Sequence, residues 1–257
     1  MTHLWFVIGY GVHRILPESA RMPELALSSV DRMKPLFDPA HPLASTGFLG
    51  HFGRTKKSRT YSAILRSAIV NTGVLPEDIK NIELRGQGGI ANAAHFVDSN
   101  RFHQVMGGKS EKVPAIALAH GYQSTIAWVA DLVGHILLEA DSDIEPHDFE
   151  GLVLIDEIDL YLHPRWQTRL IPALRKTFPK LQFIATTHSP VVLATLSPDE
   201  IIRVHANPDT GHVEHITPDA FTGEWDRVER EEDLHTQQDP RAMTGTELYL
   251  GQSVLRL

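Results

Sequence analysis

The chain has 257 residues, 42% of them hydrophobic and none a cysteine, with a formal net charge of −8. That length supports one sizeable core, or one domain with a smaller appendage, and the absence of thiols excludes disulfides and thiolate metal sites. The acidic balance argues against broad nucleic-acid affinity, although a local basic patch can still bind phosphates.

No apolar stretch approaches the ~20 residues that cross a bilayer. The opening "MTHLWFVIGYG" has no basic lead and is too short for a secretion signal, so a cytoplasmic location is the expectation. Within it, "LWFVIGYG" (4–11) predicts a buried strand running into a glycine loop. A buried strand so close to residue 1 is expected either where a fold starts or where a larger one has been cut.

Residues 17–55 are rich in proline, serine and small residues and predict short helical turns at best. "TKKSRTYSAILRSAIVNTGV" (55–74) has helical spacing, with Ile64, Leu65, Ala68 and Ile69 on one face. The basic group at its start, Arg54, Lys56, Lys57 and Arg59, reads as a solvated helix end rather than a nucleic-acid contact. "NIELRG", "ANAAHFVD" and "RFHQVMGGKSEKVPAIAL" predict strands joined by turns, with Gly107-Gly108 as a hairpin turn. From Tyr122 to Glu139, Ile126, Trp128, Val129, Leu132, Val133, Ile136 and Leu137 recur at helical spacing, and "DSDIEPHD" then makes a polar loop.

The clearest unit follows. "LVLID" (152–156) is a continuous apolar strand, Pro164 with "RWQTRLIPALRKTF" (165–178) gives a crossover helix, and "LQFIATT" (181–187) is a second continuous apolar strand. Neither strand alternates, so both are expected to be buried on both faces in a parallel sheet covered by helices. Such a connection is right-handed and often joins neighbours. "EIIRVHA" (200–206) and "HVEHITP" (212–218) are expected at the sheet's edge. From Gly223 the chain is charged, then apolar again at "ELYLGQSVLRL", ending without a polar cap as if more chain followed. There is no internal repeat.

In open α/β sheets, ligands bind beyond the carboxyl ends of the strands. The first buried strand ends in Asp156-Glu157 and the second in Thr186-Thr187-His188-Ser189. If the two are parallel neighbours, carboxylates, an imidazole and hydroxyls share one edge, which is more than strand termination requires. Such a cluster suits phosphoryl chemistry. The aspartate can hold Mg²⁺ through its waters, the glutamate can orient and polarise an attacking water, and the histidine can contact the terminal phosphate.

"LVLIDE", then "LYLHP", then "TTHSP" resembles the Walker B, D-loop and switch-histidine series of ABC-type ATPases, in particular the SMC/RecF/OLD-like AAA-family ATPases of bacteria. Those proteins often serve DNA repair or anti-phage defence. "LAHGYQS" (118–124) stands where that family has its signature motif, and "FVIGYGVHR" (6–14) resembles the strand and loop it places after Walker A.

The resemblance implies one ABC-ATPase-like, P-loop NTPase α/β domain over 1–257, with a parallel core sheet flanked by helices. Residues 1–112 would be an incomplete N-terminal lobe with a helical insertion, 113–222 the signature, Walker B and switch-histidine core, and 223–257 a tail. It makes ATP and Mg²⁺ the expected ligands, Asp156 the Mg²⁺-linked aspartate, Glu157 the catalytic base and His188 the switch histidine. Asp159 and His163 fall in the D-loop. Leu118, Ala119, His120, Gly121 and Tyr122 would form the signature, where a helix N-terminus meets the γ-phosphate held by an opposing subunit. A homodimer or an ATPase-containing complex is the implied assembly, with DNA or an effector protein as further candidate partners and no membrane. One departure is Ala119, where the family has serine.

A P-loop reads G-x-x-x-x-G-K-[ST]. The one near match, "HQVMGGKS" (103–110), has His103 in place of the first glycine and leads into a strand, so it reads as a hairpin. No Q-loop can be assigned. The expectation is that Walker A lies before residue 1 or on another chain, and that this polypeptide alone binds ATP poorly.

Other chemistries fit less well. A TOPRIM-type nuclease needs Asp-x-Asp at a strand end, whereas "DSD" (141–143) lies in a loop after a helix. His212 and His215, three apart in an expected strand, face opposite sides and complete no metal site. Helicases and AAA+ machines share a strand-end Asp-Glu, but not the signature-like segment, and no arginine finger is evident. Two readings remain: an ATPase, or an ATPase-shaped interaction module that does not turn over nucleotide.

Overall fold

The first apolar run forms β1 (Val7–Tyr10), three of whose four residues are buried. The structure, a computed structural model, describes residues 6–16, 25–53, 55–84, 100–140, 148–206, 213–216 and 253–256. "ANAAHFVD", the "DSD" triplet, Arg54 and His212 lie outside the described residues.

After β1 comes α1 (Ser29–Phe37), capped by the Ser28 hydroxyl, which accepts the Asp31 N–H at 3.1 Å. A nine-residue helix here corrects the expectation of short turns at best over 17–55. Pro35 is the residue that argues against it, since proline disrupts helix interiors. It sits two residues before the helix ends, and its carbonyl accepts the Gly11 N–H at 3.1 Å. A 3₁₀ turn at Ser45–Gly47 then leads into α2 (Phe48–Phe52), and α3 (Lys56–Arg66) passes into a π-helical stretch at Ser67–Asn71. Ile64, Leu65, Ala68 and Ile69 are all buried, as their spacing requires.

β2 (Ile79–Glu83), β3 (Arg101–Met106) and β4 (Lys109–Pro114) form a separate antiparallel sheet. Gly107 and Gly108 join β3 to β4 at φ 57° and 81°, the paired positive values of a two-residue hairpin turn. "HQVMGGKS" is therefore a hairpin and presents no helix N-terminus to a phosphate.

α4 (His120–Glu139) is buried along most of its length. β5 (Gly151–Ile155), α5 (Pro164–Thr177) and β6 (Leu181–Thr187) make the expected crossover, with Gly151 opposite Leu181 and Ile155 opposite Ala185 in parallel register. α6 (Pro190–Leu193), β7 (Ile201–Ala206), β8 (Val213–Ile216) and β9 (Ser253–Arg256) complete the chain. The large sheet has the order β1-β5-β6-β9-β7-β8. β1, β5 and β6 are its parallel core, β9 runs antiparallel to β6 and β7, and β8 is the outer strand. The fold is α/β, with a parallel core sheet flanked by helices.

Two expectations change. β9 comes from the segment read as a tail and separates β6 from β7; its four residues carry no periodic signal, so only long-range pairing places it. β5 and β6 are also not fully buried on both faces. Val153, Ile155, Phe183 and Ala185 are buried, whereas Leu152, Leu154, Gln182 and Ile184, aligned on the other face, are half-buried.

A buried carboxylate joins the helices to this sheet. Asp131 of α4 accepts hydrogen bonds from the Tyr10 hydroxyl at 3.1 Å and from the Ala44 and Ser45 N–H groups at 2.7 and 3.0 Å. His135, one turn along, lies 3.5 Å from the same carboxylate and edge-on to Phe48 at 4.9 Å. Burial holds the His135 pKa below the ordinary 6.5, outweighing the pull of Asp131. An unfolded His135 takes up a proton near pH 6.5 while the folded one stays neutral, so the unfolded state binds more protons as pH falls. This contribution to stability is complete above the unfolded pKa and is lost below it, with a slope of up to about 1.4 kcal/mol per pH unit. Thermal melts between pH 7 and pH 5.5 are expected to show a falling Tm, and His135→Gln a shallower fall; equal slopes would refute the assignment.

Candidate functional site

Three strand ends converge at one edge. Tyr10 closes β1 and accepts the Asp156 N–H at 2.8 Å, while Ile158 N–H reaches Thr186 O at 3.0 Å. These bonds carry the parallel pairing one step past the strands and set Asp156-Glu157 beside Thr186-Thr187. The Thr186 hydroxyl accepts the Glu157 N–H at 2.8 Å and donates to Asp156 Oδ1 at 2.5 Å. One side chain of β6 therefore bonds both acidic residues that follow β5.

The chain turns sharply there. Glu157 has φ 47° and Tyr161 φ 64°, left-handed values that non-glycine residues adopt only when their surroundings hold them. The Leu160 N–H bonds Glu157 O and the Leu162 N–H bonds Asp159 O, each at 3.0 Å. Asp159 turns back to accept a hydrogen bond from the Thr187 hydroxyl, which is fully buried. That hydroxyl also accepts the Ser189 N–H at 3.0 Å. Ser189 Oγ donates to Gln167 Oε1 at 2.6 Å, and Gln167 Nε2 donates to Leu162 O at 2.9 Å. The loop after β5, the loop after β6 and the start of α5 are thus one bonded unit.

His188 follows Thr187 directly and is exposed at the same edge. His163 is exposed and caps α5, its Nδ1 accepting the Arg165 N–H at 3.2 Å, so a structural role accounts for it locally.

Leu118–Tyr122 packs onto this loop. A Cβ on Gly121 would lie 2.4 Å from Tyr161 O, so only glycine admits that approach. The His120 and Tyr161 rings stand 5.9 Å apart. Tyr122 meets Trp166 edge-on at 5.1 Å, and its hydroxyl lies 2.9 and 2.8 Å from the two Asp78 carboxylate oxygens. Burial, with Asp78 beside it, raises the Tyr122 pKa well above the ordinary tyrosine value. α4 begins at His120 with Ala119 as its N-cap, and no side chain caps it.

Sequence reasoning missed Arg14. It lies beyond β1, is 4% exposed, and donates through Nη2 to Glu157 O at 2.7 Å. Burial lowers its pKa to about 10, against the opposing pull of Asp156, Asp159 and Glu157, so it stays cationic at neutral pH. Arg14 closes the "FVIGYGVHR" segment, but nothing in that segment alone gives the arginine a role. The one usable signal is that it follows a buried strand.

Among the described residues, no three His, Asp or Glu side chains are arranged to hold a metal ion. Mg²⁺ in nucleotide sites needs only one or two carboxylates, with water and phosphate completing its shell. The hard oxygens of Asp156 fit that mode.

A family model described as "AAA domain, putative AbiEii toxin, Type IV TA system" matches residues 125–194, which include Asp156, Glu157, Asp159, His163 and His188. That segment is similar to AAA domains. The retron Ec83 probable ATPase of Escherichia coli is 45% identical over 86 residues, which are 34% of this chain and 16% of that protein. Septu protein PtuA of Bacillus mycoides (strain KBAB4) is 30% identical over 204 residues, 79% of this chain and 25% of that protein. The matches thus span a quarter or less of these relatives' length. A solved SMC ATPase is similar at TM-score 0.40 and 17% identity, over 68% of this chain and 91% of that one. No helix among the described residues is long and apolar enough to cross a membrane.

Ala119 offers a direct test of the α4 start. Ala119→Ser supplies a side-chain acceptor at the uncapped start of α4 and should stabilise the fold by about 0.5–1 kcal/mol. The expected result is a higher urea midpoint with unchanged m; a midpoint at or below that of the parent would show that position 119 cannot cap the helix.

Proposed function

We propose that the chain carries the hydrolytic half of a dimerising ABC-type ATPase that serves a bacterial DNA-repair or anti-phage defence system. The observation that carries this reading is the Thr186 hydroxyl bridging Asp156 and Glu157 at the carboxyl edge of adjacent parallel strands, with His188 two residues on. The retron and Septu relatives support the defence setting.

In this reading Asp156 would hold Mg²⁺. Bound there, the ion supplies charge neutralisation for the phosphates. Glu157 accepts a proton from the attacking water and orients it, and His188 contacts the terminal phosphate. Leu118–Tyr122 presents the start of α4 to nucleotide held by a second subunit, where its N–H groups and dipole favour anionic oxygens. Asp159 ties the loop after β5 to Thr187, so movement at the phosphate end can reach the surface beside Gly121. DNA or an effector protein would receive the output.

The phosphate-cradling lysine loop is not among these 257 residues. In isothermal titration, this polypeptide alone should bind Mg-ATP more weakly than micromolar, and micromolar affinity would contradict the assignment. In the polypeptide or complex that contains the P-loop, Glu157→Gln should lower kcat about 100-fold or more and trap an ATP-bound dimer on size exclusion. Undiminished turnover would remove Glu157 from the mechanism.

A second reading, an ATPase-shaped interaction module acting through a partner chain, is favoured by Ala119, which provides no hydroxyl at the start of α4. Turnover in the P-loop-containing protein separates the two.

A further inference from the structure

The loop holding Glu157 has an unusual support beneath it. Arg14 is 143 residues away in sequence, buried to 4% exposure, and spends its Nη2 donor on one backbone oxygen, that of Glu157. Nε and Nη1 have no hydrogen-bond partner among the described residues. A buried guanidinium with incomplete bonding is costly and persists only where something offsets it. Here the nearby carboxylates of Asp156, Asp159 and Glu157 do so electrostatically.

The backbone oxygen it holds belongs to the residue at φ 47°. A left-handed glutamate costs roughly 1–2 kcal/mol relative to an ordinary conformation. Its peptide groups are pinned on both sides, by Thr186 Oγ1 at the N–H and by Arg14 Nη2 and Leu160 N–H at the carbonyl. Of these partners, Arg14 alone is charged, and a charge-assisted bond is about twice as strong as a neutral one. Arg14 lies under the turn rather than at its surface, which disfavours a direct role in binding phosphate.

We propose that Arg14 is a positioning residue for hydrolysis: its bond to the Glu157 carbonyl fixes the left-handed turn and thereby aims the Glu157 carboxylate at the attacking water. This rests on the reading of Glu157 as the base. Loss of the strut lets the turn relax, and a misplacement of the order of 1 Å at a base costs up to about 100-fold in rate. Substrate binding does not pass through this bond, so KM should hold.

The test uses the ATP-hydrolysing protein that contains both this chain and the P-loop, with Arg14→Met, Arg14→Lys, Glu157→Gln and the Arg14→Met/Glu157→Gln double variant. Arg14→Met should lower kcat about 10- to 100-fold at unchanged KM for ATP. Arg14→Lys, which keeps a cation and a donor, should recover part of that loss. In the Glu157→Gln background Arg14→Met should have no further effect, because both act through one carboxylate.

A readout independent of turnover is the backbone carbonyl resonance of Glu157 in the isotope-labelled chain. It should shift on Arg14→Met and stay near its parent position on Arg14→Lys. If Glu157→Gln stalls hydrolysis while Arg14→Met raises KM, acts additively or leaves the resonance in place, the Arg14 proposal is overturned and the base stands. If Glu157→Gln is without effect, both fall. Should Arg14→Met fail to fold, Arg14→Lys decides: a kcat below the parent's at unchanged KM supports the strut, and the parent rate or a raised KM overturns it.

Discussion

One hydroxyl group organises the acidic edge of this protein. Thr186 Oγ1 accepts from the Glu157 amide and donates to the Asp156 carboxylate, joining neighbouring strands just where their backbone ladder ends. A hydroxyl has one proton to give and two lone pairs to receive, and these two bonds use it in a directional way. Because its proton goes to Asp156, the Asp156 oxygen so engaged is oriented along the sheet edge. Because a lone pair takes the Glu157 N–H, the backbone turns immediately after Asp156 instead of continuing the strand. Valine would keep the shape of Thr186 and lose both directions.

That edge is only as well placed as the three strands behind it, and buried charges in the helical layer fix them. Asp131 ties α4 to Tyr10 at the end of β1 and to the backbone at Ala44 and Ser45. Arg32 of α1 donates to Val7 O at 3.1 Å, pairs with Glu139 at the far end of α4, and lies 4.9 Å over the Phe6 ring. Arg32 is buried and Glu139 exposed, so loss of the Glu139 carboxylate leaves the buried guanidinium without its counter-charge. The two ends of β1 are therefore held to the same helix, and the loop carrying Arg14 leaves from a fixed point. Hydrophobic contact alone would allow β1 to slide. The directional bonds do not.

The central crossover was legible because its signals are local. Continuous apolar runs of strand length flank a proline-headed amphipathic segment, and β5 and β6 pair as that pattern requires. The clustering of Asp156, Glu157, Thr186 and His188 then follows from parallel topology alone. β9 was not legible: Ser253–Arg256 has no turn signal or periodicity that would direct it between β6 and β7, and its place is decided by tertiary pairing. α1 was obscured by the proline- and serine-rich composition of 17–55, although Ser28 three residues before Asp31 is a helix-start signal. The role of Arg14 was hidden, since its partner is a backbone carbonyl and a backbone carbonyl has no residue identity. The half-burial of Leu152, Leu154 and Ile184 marks a similar limit: an apolar run reports what a strand tolerates, not how completely its neighbours cover it.

The charge at this edge explains why the proposed site has to be composite. Asp156, Glu157 and Asp159 crowd one loop, and a nucleoside triphosphate brings several more negative charges toward it. At about 4 Å and an effective dielectric of 20, each like-charged pair opposes approach by roughly 4 kcal/mol. Arg14, which follows β1, is buried beneath this loop and engaged with Glu157 O, so it relieves the carboxylates without offering the phosphates a direct bond. In the proposed function, neutralisation of the phosphates would enter with the ligand as Mg²⁺, from the lysine of a P-loop, and from the helix N-terminus of a second subunit. In the proposed function, an acidic edge that repels nucleotide until those three groups arrive together would confine hydrolysis to the assembled state.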